Sequence, residues 1–387
     1  MNPTPDPLAR IVSAVRTPIG AFLGSLSGLS AVELGTAAAV SAVERAGVAP
    51  ADIDLVYFGN ARPAGNGPNP ARQIAIRAGL PESVPAATIN MACASGLQAI
   101  LLGVQAIQLG RARRVLVGGT ESMSRVPYLL PRARQGYRLG NDLLVDAMFR
   151  DGFDCPLAGQ VMGETAETLA VEYGIRRSDQ DALALQSQQR AEAAMRDGWF
   201  DAEVVVLPQL DHDEHPRPGT SLEQLAKLAP VFRSDGSVTA GNSSGLTDAA
   251  CALVLEAVDL RERGLATVVD YEHAGVDPAR MGIGPVPATR QLLTRRGLTL
   301  GDVDLVELNE AFAAQVLACA QDLSLDLALT NPAGGAIALG HPIAATGARI
   351  TTTLVHGLRR TGGDLGLATL CVSGGMGVSM LVRRDPA

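Results

Sequence analysis

Apolar and polar positions alternate along the chain in two rhythms, one of about 3.6 residues and one of two, which repeatedly hand over from strand to helix. Ser30 and Glu33 form a capping-box pattern ahead of AVELGTAAAVSAVERAG, and Gly47 stands where that helix would close. A strand follows over 53–58. Much later a helical run over 288–296 stops at Gly297, and 303–308 reads as the next strand. The two passages match: GVAPADIDLVYFGNA at 47–61 and GLTLGDVDLVELNEA at 297–311 share Gly, both Asp, the Leu-Val pair and the last Ala at a constant offset of 250. That period is too long for a solenoid, so the pattern predicts two copies of one α/β domain.

Both copies continue alike. In the first, ATIN leads into MACAS, a helix over 96–109 and a strand over 114–117. In the second, LALTN leads into a glycine-rich turn, a helix from Pro342 and a strand over 366–371. Between them, roughly 121–244 is rich in Gly, Pro and charge around one helix, 178–197, capped by the Ser178/Asp181 pair and ended by Gly198. The expected organisation is a first α/β domain at 1–120 with 245–265, an inserted loop domain at 121–244, and a second α/β domain at 266–387.

Composition agrees with layers of small side chains: the 387 residues are 47% hydrophobic but only 3% aromatic. A net charge of −8, with no basic run interleaved with aromatics, excludes a nucleic-acid surface. The five cysteines are scattered and form no C-x-x-C pair, as in reduced intracellular chains. The start, MNPTPDPLAR, has no leader pattern, and the strongest apolar stretch, 97–109, is too short and too interrupted to span a bilayer, so a cytoplasmic protein without membrane contact is expected.

Four residues stand where chemistry could occur. Cys93, in NMACASG, lies between a strand and the amino end of a long apolar helix, where free N–H groups and the helix dipole favour a thiolate; its alternative is a small buried hydrophobe. His341, in GGAIALGHPIAATGAR, occupies the second copy's equivalent of that turn, and pseudo-twofold packing would bring the two turns together. Cys371 ends the apolar run GLATLC before VSGGMG, a plausible acid/base position or a core thiol. Asn309, in LNEAFAAQ, could hold a water or carbonyl, or cap a helix. GIGPVP at 282–287 imitates a dinucleotide fingerprint, but Pro287 replaces its third glycine, so no nicotinamide cofactor is expected. His212 and His215, in DHDEHP, lack a third metal ligand and read as a solvated loop; no metal is expected.

Together, RTPIGAFLGSL, NGPNPARQ, NMACASGLQA, TAGNSSGLTDAA, NEAFAAQ, GGAIALGHPIAATGAR and LATLCVSGGMG resemble the thiolase family over essentially the whole chain. The resemblance implies the thiolase fold: duplicated βαβαβαββ domains in a layered α-β-α-β-α arrangement with an inserted loop domain, usually as a homodimer or homotetramer. It also implies reversible CoA-dependent Claisen condensation and thiolysis, with CoA and acyl-CoA as substrates and no permanently bound cofactor. Carried over, Cys93 is the acylated nucleophile, His341 its activating base, Cys371 the group exchanging the α-proton, and Asn309 the holder of an oxyanion-hole water. A second oxyanion hole is implied at the backbone N–H groups of Cys93 and Ser373. Ser244 resembles a contact to the pantetheine arm, Ala240, Phe232, Met162 and Phe312 line the same route, and Arg217 stands near the nucleotide end. Short-chain biosynthetic relatives commonly have His where Val161 stands, which points to a broader substrate range. Two other readings share parts of this pattern. A ketoacyl-synthase-type decarboxylating enzyme would surround the cysteine with different partners, against Cys371, and a non-catalytic acyl-CoA or lipid binder would have a broken cysteine or histidine motif.

Overall fold

The computed structural model describes residues 8–261 and 263–386. The first seven residues, read above for a leader, lie outside the described residues. Nine strands carry the architecture. The first half comprises β1 (Ala9–Arg16), β2 (Leu55–Gly59), β3 (Ala86–Ile89), β4 (Arg114–Ser122) and β5 (Thr247–Glu256), in the order β3-β2-β4-β5-β1. The second comprises β6 (Ala266–Gly275), β7 (Leu305–Leu308), β8 (Leu365–Val372) and β9 (Met376–Arg384), in the order β6-β9-β8-β7. Within each half the crossover strands pair parallel and the last ones antiparallel, and the halves meet where Ala9–Ile11 of β1 pairs with Ala266–Val268 of β6.

Three helix layers cover these sheets. On one outer face, α1 (Ala31–Ala46) and α2 (Pro70–Arg77) pack over Val56, Phe58 and Leu116. In the middle, α3 (Ser95–Gln108) and α8 (Ile343–Thr361) share one core with Val117, Leu253, Val378 and Met380. On the other outer face, α6 (Pro285–Arg296) and α7 (Ala313–Leu323) pack over Leu308, Leu367 and Leu381. This is the α-β-α-β-α layering expected above. Burying α8 almost completely is possible because its sequence is dominated by Ala, Thr, Gly and aliphatic residues.

The duplication extends to individual hydrogen bonds. A single 3-10 turn precedes each equivalent strand, at Pro50–Asp52 and Leu300–Asp302. Asp54 accepts from the N–H groups of Arg113 (2.7 Å) and Arg114 (2.9 Å), and its counterpart Asp304 accepts from Asp364 (2.7 Å) and Leu365 (2.9 Å), pinning parallel neighbours in both copies. Where the first copy has β3, the second keeps only a bridge from Val306 to Thr330, and the Asn331 amide continues the ladder through Leu308 N–H (2.9 Å) and C=O (2.8 Å).

Two expectations change in the intervening segment. The long helix is α5 (Arg177–Arg196): the extended Arg176 is its cap, and Asp179 accepts from the Arg176 N–H at 3.1 Å. Ser178 therefore lies inside the helix, and Asp181 pairs instead with Arg177 (2.8 Å) and Asn242 (3.0 Å). Gly198, with φ 64°, follows the helix as expected. A second helix, α4 (Met162–Glu172), was not foreseen; Glu164 supports its start by accepting from the Val161 N–H at 3.1 Å. Among the described residues no helix is long and apolar enough to cross a membrane.

Candidate active site

Cys93 sits on a strained turn between β3 and α3. Ala92 has φ 44°, a left-handed conformation that costs a non-glycine residue about 1–3 kcal/mol. Side chains hold it there: Asn90 Oδ1 accepts from the Ala92 N–H (3.0 Å), while the Asn90 amide donates to Ala61 C=O (3.3 Å). Ser95 Oγ accepts from the Met91 N–H (2.9 Å) and donates to Ala92 C=O (2.6 Å). The thiol is thereby presented just ahead of a helix amino terminus, 5% exposed, with the N–H of Ser373 and its own N–H in reach. Burial pushes its pKa up, and the strongest opposing influence is the positive charge of Arg62.

Two glycines bring the second turn against the first. A Cβ on Gly96 of α3 would stand 2.7 Å from Ala344 C=O, and one on Gly347 of α8 would stand 2.5 Å from the Leu97 N–H, so both helices approach through bare backbone. Gly119 of β4 is tighter still, with its Cβ position 2.1 Å from Ala344 C=O. Glu121 fastens this contact by accepting from Ala344 N–H (3.2 Å) and from the N–H groups of Ala61 and Arg62 (both 3.1 Å); burial pushes its carboxyl up to about 7 against those donors.

His341 enters the crevice behind Gly340, whose φ of 98° only glycine adopts freely, and its own N–H donates to Gly245 C=O at 3.0 Å. Nδ1 lies 2.6 Å from Thr346 Oγ1, whereas Nε2 is buried without a hydrogen-bond partner. Burial, then the charges of Arg349 and Arg62, lower the ring to about 3, so it is neutral at physiological pH. Cys371, at the end of β8, is 1% exposed; burial and then the neighbouring Cys93 hold its thiol well above the usual range. Asn309 is fully buried at the end of β7, and both atoms of its amide lack protein partners, an arrangement suited to a bound polar atom.

One cavity of about 540 Å³ is lined by Cys93, His341 and Cys371 together. The same cavity is lined by Ser244, Ala240, Phe232, Met162, Phe312 and Arg217, each singled out in the sequence, and by Val161. Phe232 and Phe312 stack edge to face, 6.1 Å between centroids. Asn309 and Ser373 do not line it; Ser373 comes close to Cys93 through its backbone N–H. Sequence reasoning missed Met123, Phe149, Phe153 and Ile343, which line the wall with no motif to mark them. It also misread His215. His212 is exposed beside Asp211, but His215 turns inward, its Nδ1 2.6 Å from Ala338 C=O, and lines the cavity.

Comparison with known proteins places the chain in one family along nearly its whole length. The family described as Thiolase, N-terminal domain matches residues 9–259, and Thiolase, C-terminal domain matches 262–384. The chain is 50% identical to an acetyl-CoA acetyltransferase of Pseudomonas aeruginosa over 97% of its length and 99% of that relative. It is 48% identical to an acetyl-CoA acetyltransferase of Escherichia coli, covering 97% and 98% of the two chains. In structure it is similar to human mitochondrial 3-ketoacyl-CoA thiolase in complex with CoA (TM-score 0.95, 44% identity, 98% of each chain). A Bacillus anthracis acetyl-CoA acetyltransferase is equally similar (TM-score 0.95, 43% identity, 97% of this chain and 98% of that one). With two family matches that together span nearly all of it and relatives this close over their full length, the chain belongs to the thiolase family.

Proposed function

We propose that Cys93, His341, Cys371 and Asn309 carry the CoA-dependent acyl transfer of this thiolase, and that the observation supporting those roles is the meeting of two thiols and a neutral imidazole on one cavity. The reaction joins two acetyl-CoA into acetoacetyl-CoA and CoA, or runs backwards on a 3-oxoacyl-CoA. In the first half-reaction the Cys93 sulfur attacks the thioester carbonyl, its proton passes to His341 Nε2, and that proton leaves on the CoA sulfur. Because Cys93 is raised and His341 lowered, the resting pair is uncharged, and proton transfer accompanies attack rather than preceding it. The N–H groups of Cys93 and Ser373, held beside the buried Cys93 sulfur, suit the oxyanion that forms.

In the second half-reaction the Cys371 thiol passes its proton to the neutral His341, and the thiolate so formed takes a proton from the methyl carbon of acetyl-CoA, with Asn309 supporting the enolate oxygen through a bound water. The carbanion attacks the acyl carbon on Cys93, the carbon–sulfur bond breaks, and Cys93 takes back the proton held by His341. Neither a ketoacyl-synthase-type nor a silent binding role is favoured. CoA and acyl-CoA enter as substrates along Ser244, Ala240, Phe232, Met162 and Phe312, with Arg217, exposed at the rim, facing the nucleotide end.

The acyl chain accepted extends beyond four carbons, a reading supported by the apolar wall of Val161, Met123, Phe149 and Phe153. The division into domains at 1–120 with 245–265, 121–244 and 266–387, a cytoplasmic location, and a homodimer or homotetramer complete the proposal. An oligomer is supported by the edge strand β3 and by exposed Leu139, Leu143 and Leu144. Thiolysis rates with 3-oxoacyl-CoA of four to twelve carbons test the chain-length reading: turnover of the longer substrates is expected, and turnover of acetoacetyl-CoA alone would overturn it.

A further inference from the structure

A histidine serves as a base only through a nitrogen that carries no proton, and nothing in the imidazole itself selects which one that is. At His341 the choice falls to one hydroxyl. Thr346, one turn into α8, lies 2.6 Å from Nδ1 and 3.1 Å from Pro342 C=O. Its single proton has two possible acceptors. Donation to Pro342, four residues back in the same helix, is the ordinary back-bond of a helical threonine and leaves an oxygen lone pair for Nδ1–H. Donation to Nδ1 would instead place the ring proton on Nε2, which is buried and has no acceptor. An N–H stranded in that way gains no acceptor, whereas a bare Nε2 faces the cavity it shares with the Cys93 thiol, whose S–H is a donor.

We infer that Thr346 is the positioning residue that fixes His341 as the Nδ1–H tautomer, keeping Nε2 free to take the Cys93 proton. This rests on the reading of His341 as the activating base. The charges acting on the ring are Arg349 on α8 and Arg62 beyond β2, and the thiols of Cys93 and Cys371 line the cavity with it; the two cations disfavour the imidazolium, so the tautomer of the neutral ring decides its role. Methyl and hydroxyl on one β-carbon divide the work, since the hydroxyl holds the ring while the buried helix face keeps its packing.

The test compares Thr346→Val, which keeps the shape and removes the acceptor, with Thr346→Ser, which keeps the acceptor. Nitrogen NMR of the full-length protein labelled with ¹⁵N-histidine reads the tautomer directly; His341→Gln identifies its signals among the five histidines. The wild type and Thr346→Ser are expected to show a protonated Nδ1 and a bare Nε2, and Thr346→Val a shift toward Nε2–H. Single-turnover acetylation of Cys93 should then fall about 10–100-fold in Thr346→Val and remain near wild type in Thr346→Ser. An Nε2–H tautomer in the wild type overturns the inference without any variant having to fold. So does a Thr346→Val protein with an unchanged tautomer and acetylation rate. Normal acetylation in His341→Gln would instead overturn the base assignment while leaving the tautomer result standing.

Discussion

Replacing Cys371 by alanine should separate the two half-reactions. The side chain is 1% exposed at the end of β8, so truncation removes one methyl-sized buried atom at a cost of about 1 kcal/mol, small beside a net stability of roughly 5–15 kcal/mol. The variant should therefore fold, and its Cys93 turn, held by Asn90 and Ser95, shares no hydrogen bond with Cys371. Acetylation of Cys93 should survive because the nucleophile and His341 remain. Carbon–carbon bond formation should fall by about 10²–10⁴, or roughly 2.7–5.4 kcal/mol of barrier, as for other positioned acids and bases. Deuterium exchange from solvent into the methyl group of acetyl-CoA, at matched ligand occupancy, reads the missing step. Exchange at the wild-type rate in Cys371→Ala would show that another group removes the proton, with His341 the first suspect.

Three further outcomes follow from the same geometry. Arg62 is buried, its Nε lacks a partner, and its charge is the main influence favouring the Cys93 thiolate, so Arg62→Met should move the pH profile of Cys93 alkylation upward; an unmoved profile refutes that influence. His341, lowered to about 3 when folded, binds fewer protons than it does unfolded between pH 3 and about 6.5, so it contributes stability that is lost as pH falls through that window. Denaturant midpoints should consequently fall less steeply with acidification in His341→Gln, and equal slopes would contradict the assignment. Gly119→Ala should lose about 1–3 kcal/mol and slow acetylation, because its Cβ would meet Ala344 C=O at 2.1 Å and push α8 from β4; an unchanged midpoint and rate would show that the contact is not needed.

Local rules made much of this molecule legible before its structure. The Ser30 and Glu33 cap, the αL Gly47 and the repeat through Asp54 and Asp304 depend on contacts within a few residues or on duplicated sequence, and they appear where expected. Cys93 and His341 are marked by strand-to-helix turns in matching places of the two copies, and Cys371 by the end of an apolar strand before VSGGMG. What escaped depends on tertiary partners. Ser178 has the side chain of a cap, but the backbone becomes helical at Arg177, so Arg176 is the cap and Asp179 accepts from its N–H. His215 reads as a charged-loop residue until Ala338 C=O draws it inward. Phe149 and Phe153 reach the cavity through a π-helical turn, Phe149–Phe153, which has no periodic signature.

Whether acyl transfer passes through Cys93 decides the account. Incubating the protein with acetyl-CoA and no second substrate, followed by intact-mass and peptide analysis, should place one acetyl group on the peptide carrying Cys93 and none in Cys93→Ala. Undiminished acetylation of Cys93→Ala, or an acetyl group found only on Cys371, would contradict it.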